Sequence, residues 1–219
     1  MHEEAEKTVR ILPQFLISGT LSFFDKTAVY ISRWNVSPNF ISTLGLFFGA
    51  AVGFFFYMNK PLWAGVFIVI CGISDILDGR VAVRSKRQTL FGAIYDSSLD
   101  RYSEFCMYLG LAFHFRVHWG LWLVFLAILG SMMVSYTRAR AEGLGIECRL
   151  GMMQRAERVV ILAAAAFIGA LFGVFDTAAL IALALIAFFS NIAAVQRIVH
   201  VKKVDRERRG KDPDLNNPY

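Results

Sequence analysis

Residues 74–104 read SDILDGRVAVRSKRQTLFGAIYDSSLDRYSE, and the rest of the chain is organised around them. The stretch sets four aspartates, Asp75, Asp78, Asp96 and Asp100, at the edges of two long apolar segments. Asp75 and Asp78 are spaced i, i+3, and Asp96 and Asp100 are spaced i, i+4, so on helices each pair shares one face. An ionised carboxylate costs several kcal/mol or more to strand in an apolar medium, so four of them need cations or a wet cavity. One or two divalent metals satisfy all four at once. A metal so held can in turn grip phosphate oxygens, because Mg²⁺ favours carboxylates plus phosphate.

Outward from this stretch, the sequence is that of a membrane protein. Of 219 residues, 56% are hydrophobic and 18% charged, and the mean hydropathy is +0.50, too apolar for an ordinary soluble domain. The apolar runs approach or exceed the ~18–20 residues that span a bilayer. The pattern predicts spans at about 39–58, 61–83, 92–114, 118–140, 154–174 and 177–199. The fold class expected is therefore all-α and integral to the membrane, with six transmembrane helices in a catalytic unit over residues 35–200. Residues 1–34 mix apolar positions with Lys7, Arg10, Asp25, Lys26 and Arg33, with Pro13 and Gly19 as breaks. They read as an amphipathic segment lying in the interface, with Tyr30 and Trp34 at headgroup level. Residues 201–219 read as a polar tail, a frayed helix end followed by disorder. The start of the chain is not read as a signal peptide.

Charge placement gives an orientation. The connections near Asn59–Lys60, Arg116–His118 and Phe175–Asp176 carry few cations. The opposite side carries Arg84, Lys86 and Arg87, then Arg138, Arg140, Arg149, Arg155 and Arg158, then Arg197 and the basic tail. The positive-inside rule puts that side, both termini and the four aspartates at the cytosolic face. Nothing in the sequence points to nucleic acid. Cys71, Cys106 and Cys148 are too scattered for a disulfide framework or a zinc site and read as packing residues. Gly45, Gly49 and Gly53 form small-xxx-small spacing that favours close helix contact.

The spacing Asp75-x2-Asp78-Gly79-x2-Ala82-Val83-x8-Gly92-x3-Asp96-x3-Asp100 resembles the signature of the CDP-alcohol phosphotransferase family. It departs from that signature only at Val83, where the family has arginine. Pro38-Asn39-Phe40-Ile41-Ser42 resembles the family's usual opening of the first span. The resemblance implies an enzyme in which an alcohol hydroxyl attacks the β-phosphorus of a CDP-linked lipid and CMP leaves. It implies two Mg²⁺ (or Mn²⁺) ions, with Asp75, Asp78 and Asp96 as ligands. Asp100 would contact the second ion and take the hydroxyl proton. Asn39, Ser42, Gly79, Ala82 and Thr89 would hold the CDP-lipid, and Arg80 or Arg84 would stand in for the missing arginine.

The acceptor is read from the arginines. Ser135, Arg138, Arg140, Arg155 and Arg158 fall at the same end as the aspartates, and several arginines with a serine make an anion clamp. That favours an acceptor already bearing a phosphate. The set is similar to that of bacterial and archaeal phosphatidylinositol-phosphate synthases, which implies inositol phosphate as acceptor, with Ser135, Arg138 and Arg155 on its phosphate and Arg140 and Arg158 in support. The family likeness also implies a homodimer in the inner or plasma membrane. Phosphatidylglycerophosphate synthase is the nearest rival. From another class, a transporter could use the same acids as a relay. An intramembrane prenyltransferase would need a second acidic motif that is absent.

Overall fold

The computed structural model describes residues 36–148 and 150–211, together with Thr27, Val29, Tyr30 and Trp34. Among the described residues from 36 onward it forms six helices: α1 (Pro38–Tyr57), α2 (Pro61–Arg84), α3 (Leu90–His114), α4 (Gly120–Gly143), α5 (Arg155–Phe172) and α6 (Phe175–Lys211). No strand occurs among the described residues. Each expected span coincides with one helix. The expected interfacial segment at residues 1–34 lies almost wholly outside the described residues; of its two anchors, Tyr30 and Trp34 are exposed with ring centroids 5.9 Å apart.

The helix ends follow from local chemistry. Pro38 and Pro61 open α1 and α2, where a missing N–H is no loss. Thr89 caps α3 by accepting from the Gly92 N–H at 2.9 Å. Gln154 and Glu157 form a reciprocal capping box on α5, and Gly173 ends that helix at φ +68°. One end departs from expectation. α6 does not fray after residue 200 but stays helical to Lys211. An Arg209–Asp205 pair one turn apart, at 3.0 Å, and an Arg208 bond to the Gly145 carbonyl, at 2.8 Å, support it. Residues 212–219 lie outside the described residues.

α1, α4 and α6 are long and apolar enough to cross a bilayer by length and composition. α2, α3 and α5 fall short because each gives positions to the charges of the site, including Asp75, Asp78, Asp96, Asp100, Glu104, Arg155 and Arg158. Packed side by side, the helices close a ring in the order α1, α2, α5, α6, α4, α3. Its apolar centre holds Val52, Phe56, Ile68, Met107, Leu111, Leu162, Leu183 and Ile186, all essentially inaccessible. α1 crosses α3 at backbone distance. A Cβ on Gly49 would sit 2.1 Å from the Ser103 Oγ, one on Gly53 2.2 Å from the Cys106 carbonyl, and one on Gly110 2.1 Å from the Gly53 carbonyl. Gly45, by contrast, has room, with its nearest neighbour at 3.8 Å. The small-xxx-small reading thus holds for two of its three glycines. This tight crossing sets α3, and with it Asp96 and Asp100, against the start of α1.

Candidate active site

α2 ends at Arg84 and α3 begins at Leu90, so a five-residue turn, 85–89, folds one aspartate pair back onto the other. One carboxylate oxygen from each of Asp75, Asp78 and Asp96 lies within 4.8 Å of the other two. Asp78 is buried, and the Oδ1 of Asp96 is sealed from solvent with no hydrogen-bond partner. Three converging carboxylate oxygens, one of them without a partner, make a ready seat for a cation, and an all-carboxylate donor set suits a hard divalent ion. The residues therefore fit Mg²⁺ or Mn²⁺.

Asp100, one turn further along α3, stands outside this trio. Its Oδ1 takes Nη1 of Arg155 at 2.9 Å, and the same nitrogen reaches the Asp75 Oδ1 at 2.6 Å. Arg101 stands 3.6 Å from its other oxygen. The Arg155 Nε is buried and unpartnered. Arg155 thus links the two aspartate pairs and keeps one donor in hand.

Beside the trio lies a cavity of about 170 Å³ lined by Asn39, Ser42, Gly79, Ala82 and Thr89 together with Asp78 and Asp96. These five are among the residues expected from the sequence to hold the CDP-lipid. A Cβ on Gly79 would meet nothing within 4 Å, so this glycine leaves open space rather than relieving a clash. Arg80 and Arg84 are a correction. They line a neighbouring groove with Ile76, Val83 and Lys86, which shares Gly79 alone with the cavity. At 100° per residue they lie about 200° and 240° round α2 from Asp78, on its other side. Arg87 and Gln88 line the cavity instead. Lys86 adopts φ +54°, and the Arg87 N–H returns to the Ala82 carbonyl at 3.0 Å. This left-handed turn swings the chain back over the cavity, and a lysine in that conformation leaves no mark in the sequence.

The acceptor set is brought together only in part. Of its five members, Arg155 alone contacts the aspartates. Ser135 bonds within its own helix, to the Ser131 carbonyl at 3.2 Å. Arg138 is exposed and pairs with Glu142 at 2.8 Å, and Arg140 lines a mostly apolar groove between α4 and α6. Arg158 is a second correction. It is 1% exposed, with Nε and Nη2 on the two oxygens of Glu104 at 2.6 and 2.7 Å and Nη1 on the Met153 carbonyl at 2.6 Å. Each of its nitrogens already has a partner, so it is not poised for a phosphate. Arg197, read from sequence only as a cytosolic-side charge, is 2% exposed. It bonds the Leu150 carbonyl at 2.8 Å and also the Val134 carbonyl, tying the α4–α5 loop to α6.

Comparison with known proteins agrees with this geometry. The CDP-alcohol phosphatidyltransferase family profile matches residues 35–200. An archaetidylinositol phosphate synthase of Methanothermobacter thermautotrophicus is 38% identical over 77% of this chain and 85% of its own length. A phosphatidylinositol phosphate synthase of Streptomyces avermitilis is 34% identical over 82% of this chain and 78% of its own. Crystal structures of the Mycobacterium tuberculosis phosphatidylinositol phosphate synthase superpose on it. The complex with manganese and citrate does so with a TM-score of 0.74 at 27% identity, covering 81% of this chain and 88% of that one. The form with CDP-DAG bound gives 0.73 at 28%, covering 81% and 92%. With the match spanning the whole helical bundle and every carboxylate of the signature in place, the chain belongs to the CDP-alcohol phosphatidyltransferase family.

Proposed function

We propose that this protein transfers a phosphatidyl group from CDP-diacylglycerol, or a closely related CDP-linked lipid, to inositol phosphate and releases CMP. It is a metal-dependent transferase of phospholipid synthesis, in keeping with its family and with the manganese in its structural neighbour. The observation that carries the acceptor is Arg155, a partly buried guanidinium between the aspartate pairs with its buried Nε unspent. A phosphate on the acceptor would take that donor. Two kinds of relative named for inositol phosphate products, archaeal and bacterial, support the same choice.

In this reading the cytidine diphosphate lies in the cavity between Asn39, Ser42, Gly79, Ala82 and Thr89, with Arg87 on its anionic part. Asp75, Asp78 and Asp96 would hold one divalent cation and share a second with Asp100; such ions neutralise the diphosphate and the charge on the departing phosphate. Asp100 accepts the proton of the inositol hydroxyl as that oxygen bonds to the β-phosphorus and the bond from that phosphorus to CMP breaks. Arg155 and Ser135 orient the acceptor by its phosphate, with Arg138 and Arg140 drawing anions to the basic end. The unit is completed by six membrane-spanning helices over residues 35–200, an interfacial N-terminal segment, a site open to the cytosol and a homodimeric assembly.

The test is an acceptor panel on the purified protein in detergent. CDP-diacylglycerol is supplied with inositol phosphate, glycerol phosphate, serine or inositol, with and without Mg²⁺ or Mn²⁺. CMP release that needs both metal and inositol phosphate is expected. Release with glycerol phosphate alone would move the acceptor to the rival reading, and no release with any acceptor would end the enzymatic one.

A further inference from the structure

We propose that the buried Arg158–Glu104 pair is a positioning device for the acceptor subsite, holding Arg155 in place without itself meeting substrate. The proposal rests on the reading of Arg155 as the contact for the acceptor's phosphate. α3 and α5 are not principal neighbours in the ring, yet two ion pairs join them across its middle. Glu104 lies one turn beyond Asp100 on α3, and Arg158 one turn beyond Arg155 on α5, so each pair of residues shares a helix face. Arg155–Asp100 and Arg158–Glu104 are therefore consecutive rungs, about 5.4 Å apart along the helices.

The rungs differ in kind. The inner one is fully bonded. Both Glu104 oxygens take a guanidinium nitrogen, at 2.6 and 2.7 Å. Oε1 also takes the Tyr108 hydroxyl at 3.4 Å, and that hydroxyl meets the Ser131 Oγ of α4 at 3.0 Å. The outer rung, at the site, retains the unpartnered Nε. The inner rung also fixes the approach to α5. Met153 adopts φ +61°, a left-handed conformation disfavoured for a residue with a long side chain, and its carbonyl is held by Arg158 at 2.6 Å. Arg155 follows two residues later, as the first residue of α5.

Stability alone does not call for such a pair, because well-packed apolar side chains of similar volume often replace a buried ion pair without loss. What they cannot supply is a planar, bidentate lock that fixes both the distance and the rotation of α5 against α3. Arg155 needs that lock to reach Asp75 and Asp100 with one nitrogen while keeping Nε for a ligand.

The full-length protein in detergent with Mn²⁺ is compared with Glu104→Asp and with the double variant Glu104→Leu/Arg158→Met. The readouts are melting temperature, Mn²⁺ binding by electron paramagnetic resonance without substrates, and separate KM values for CDP-diacylglycerol and for the phosphorylated acceptor that wild type uses best. In the double variant, melting and Mn²⁺ binding stay near wild type and the CDP-lipid KM stays within about twofold, while the acceptor KM rises about tenfold or more through misplacement of Arg155. Glu104→Asp, which keeps the charge at shorter reach, falls between. A wild-type acceptor KM in the double variant overturns the proposal. So does a parallel rise of both KM values, or a double variant that no longer folds, since either makes the pair a general structural support. Should wild type prefer a phosphorylated acceptor other than inositol phosphate, the choice of acceptor is wrong but the positioning test stands. A wild type that uses only unphosphorylated acceptors removes both.

Discussion

Two glycines near the site should respond in opposite ways to the same added methyl group. Gly49 faces α3 so closely that a Cβ would lie 2.9 Å from the Ser103 Cα, a backbone atom that cannot rotate away. Ordinary carbon–carbon contact needs about 3.5–4.0 Å, so Gly49→Ala must part α1 from α3 by roughly 0.6–1.1 Å. Overpacking of that kind costs about 1–3 kcal/mol, against which the better helix propensity of alanine returns at most about 1 kcal/mol. The net loss of about 1–2 kcal/mol corresponds to a fall in melting temperature of roughly 2–8 °C for a chain of this size. The crossing also sets Asp96 on α3 against Asn39 and Ser42 on α1, so the KM for CDP-lipid should rise with it. Gly79 is the reverse case. Nothing stands within 4 Å of its Cβ position, so Gly79→Ala leaves the melting temperature unchanged or raises it by about 1–3 °C. Gly79 lines the cavity meant for the cytidine diphosphate, so the KM for CDP-lipid should rise without any loss of fold. Thermal unfolding in detergent, followed alongside initial-rate kinetics, separates the two. A wild-type melting temperature for Gly49→Ala, or a destabilised Gly79→Ala with normal CDP-lipid KM, would refute the packing argument.

Asp96→Asn removes one of the three charges that converge within 4.8 Å. It should weaken Mn²⁺ binding by at least about tenfold in an electron paramagnetic resonance titration, a loss no smaller than that from disturbing supporting residues around a metal. Stripping divalent ions with EDTA should abolish CMP release from wild type, and adding back Mg²⁺ or Mn²⁺ should restore it. Arg87→Gln, which loses the guanidinium at the cavity wall, should raise the CDP-lipid KM about tenfold, the equivalent of one charged hydrogen bond. Arg80→Gln, on the other side of α2, should change it by less than about twofold on the same scale; equal effects would contradict the assignment of the two grooves. Thr89→Val removes the α3 cap and should cost about 1 kcal/mol, or about 2–4 °C in melting temperature. Thr89→Ser should keep it, and a wild-type melting curve for the valine variant would show the cap to be idle.

The sequence by itself determined the six helices and the four aspartates. Both are local statements. An apolar run of span length or a carboxylate pair at i, i+3 is fixed by bond geometry and by the cost of charge in an apolar medium, whatever packs against it. The roles of the arginines were not legible in this way. Arg80, Arg84 and Arg87 lie within one short stretch. Which of them meets the cavity depends on helix phase and on a left-handed Lys86, and a propensity scale sees neither. Arg155 and Arg158 share one helix turn, yet the first holds the aspartates and the second is spent on Glu104, a residue 54 positions away in the chain. Likewise Gly49 and Gly53 touch α3 while Gly45 does not, because helix crossing confines close approach to a short length. Tertiary structure decided these points, since a long side chain's partner is chosen by whichever helices the closed ring brings beside it, and a linear sequence carries no record of that order.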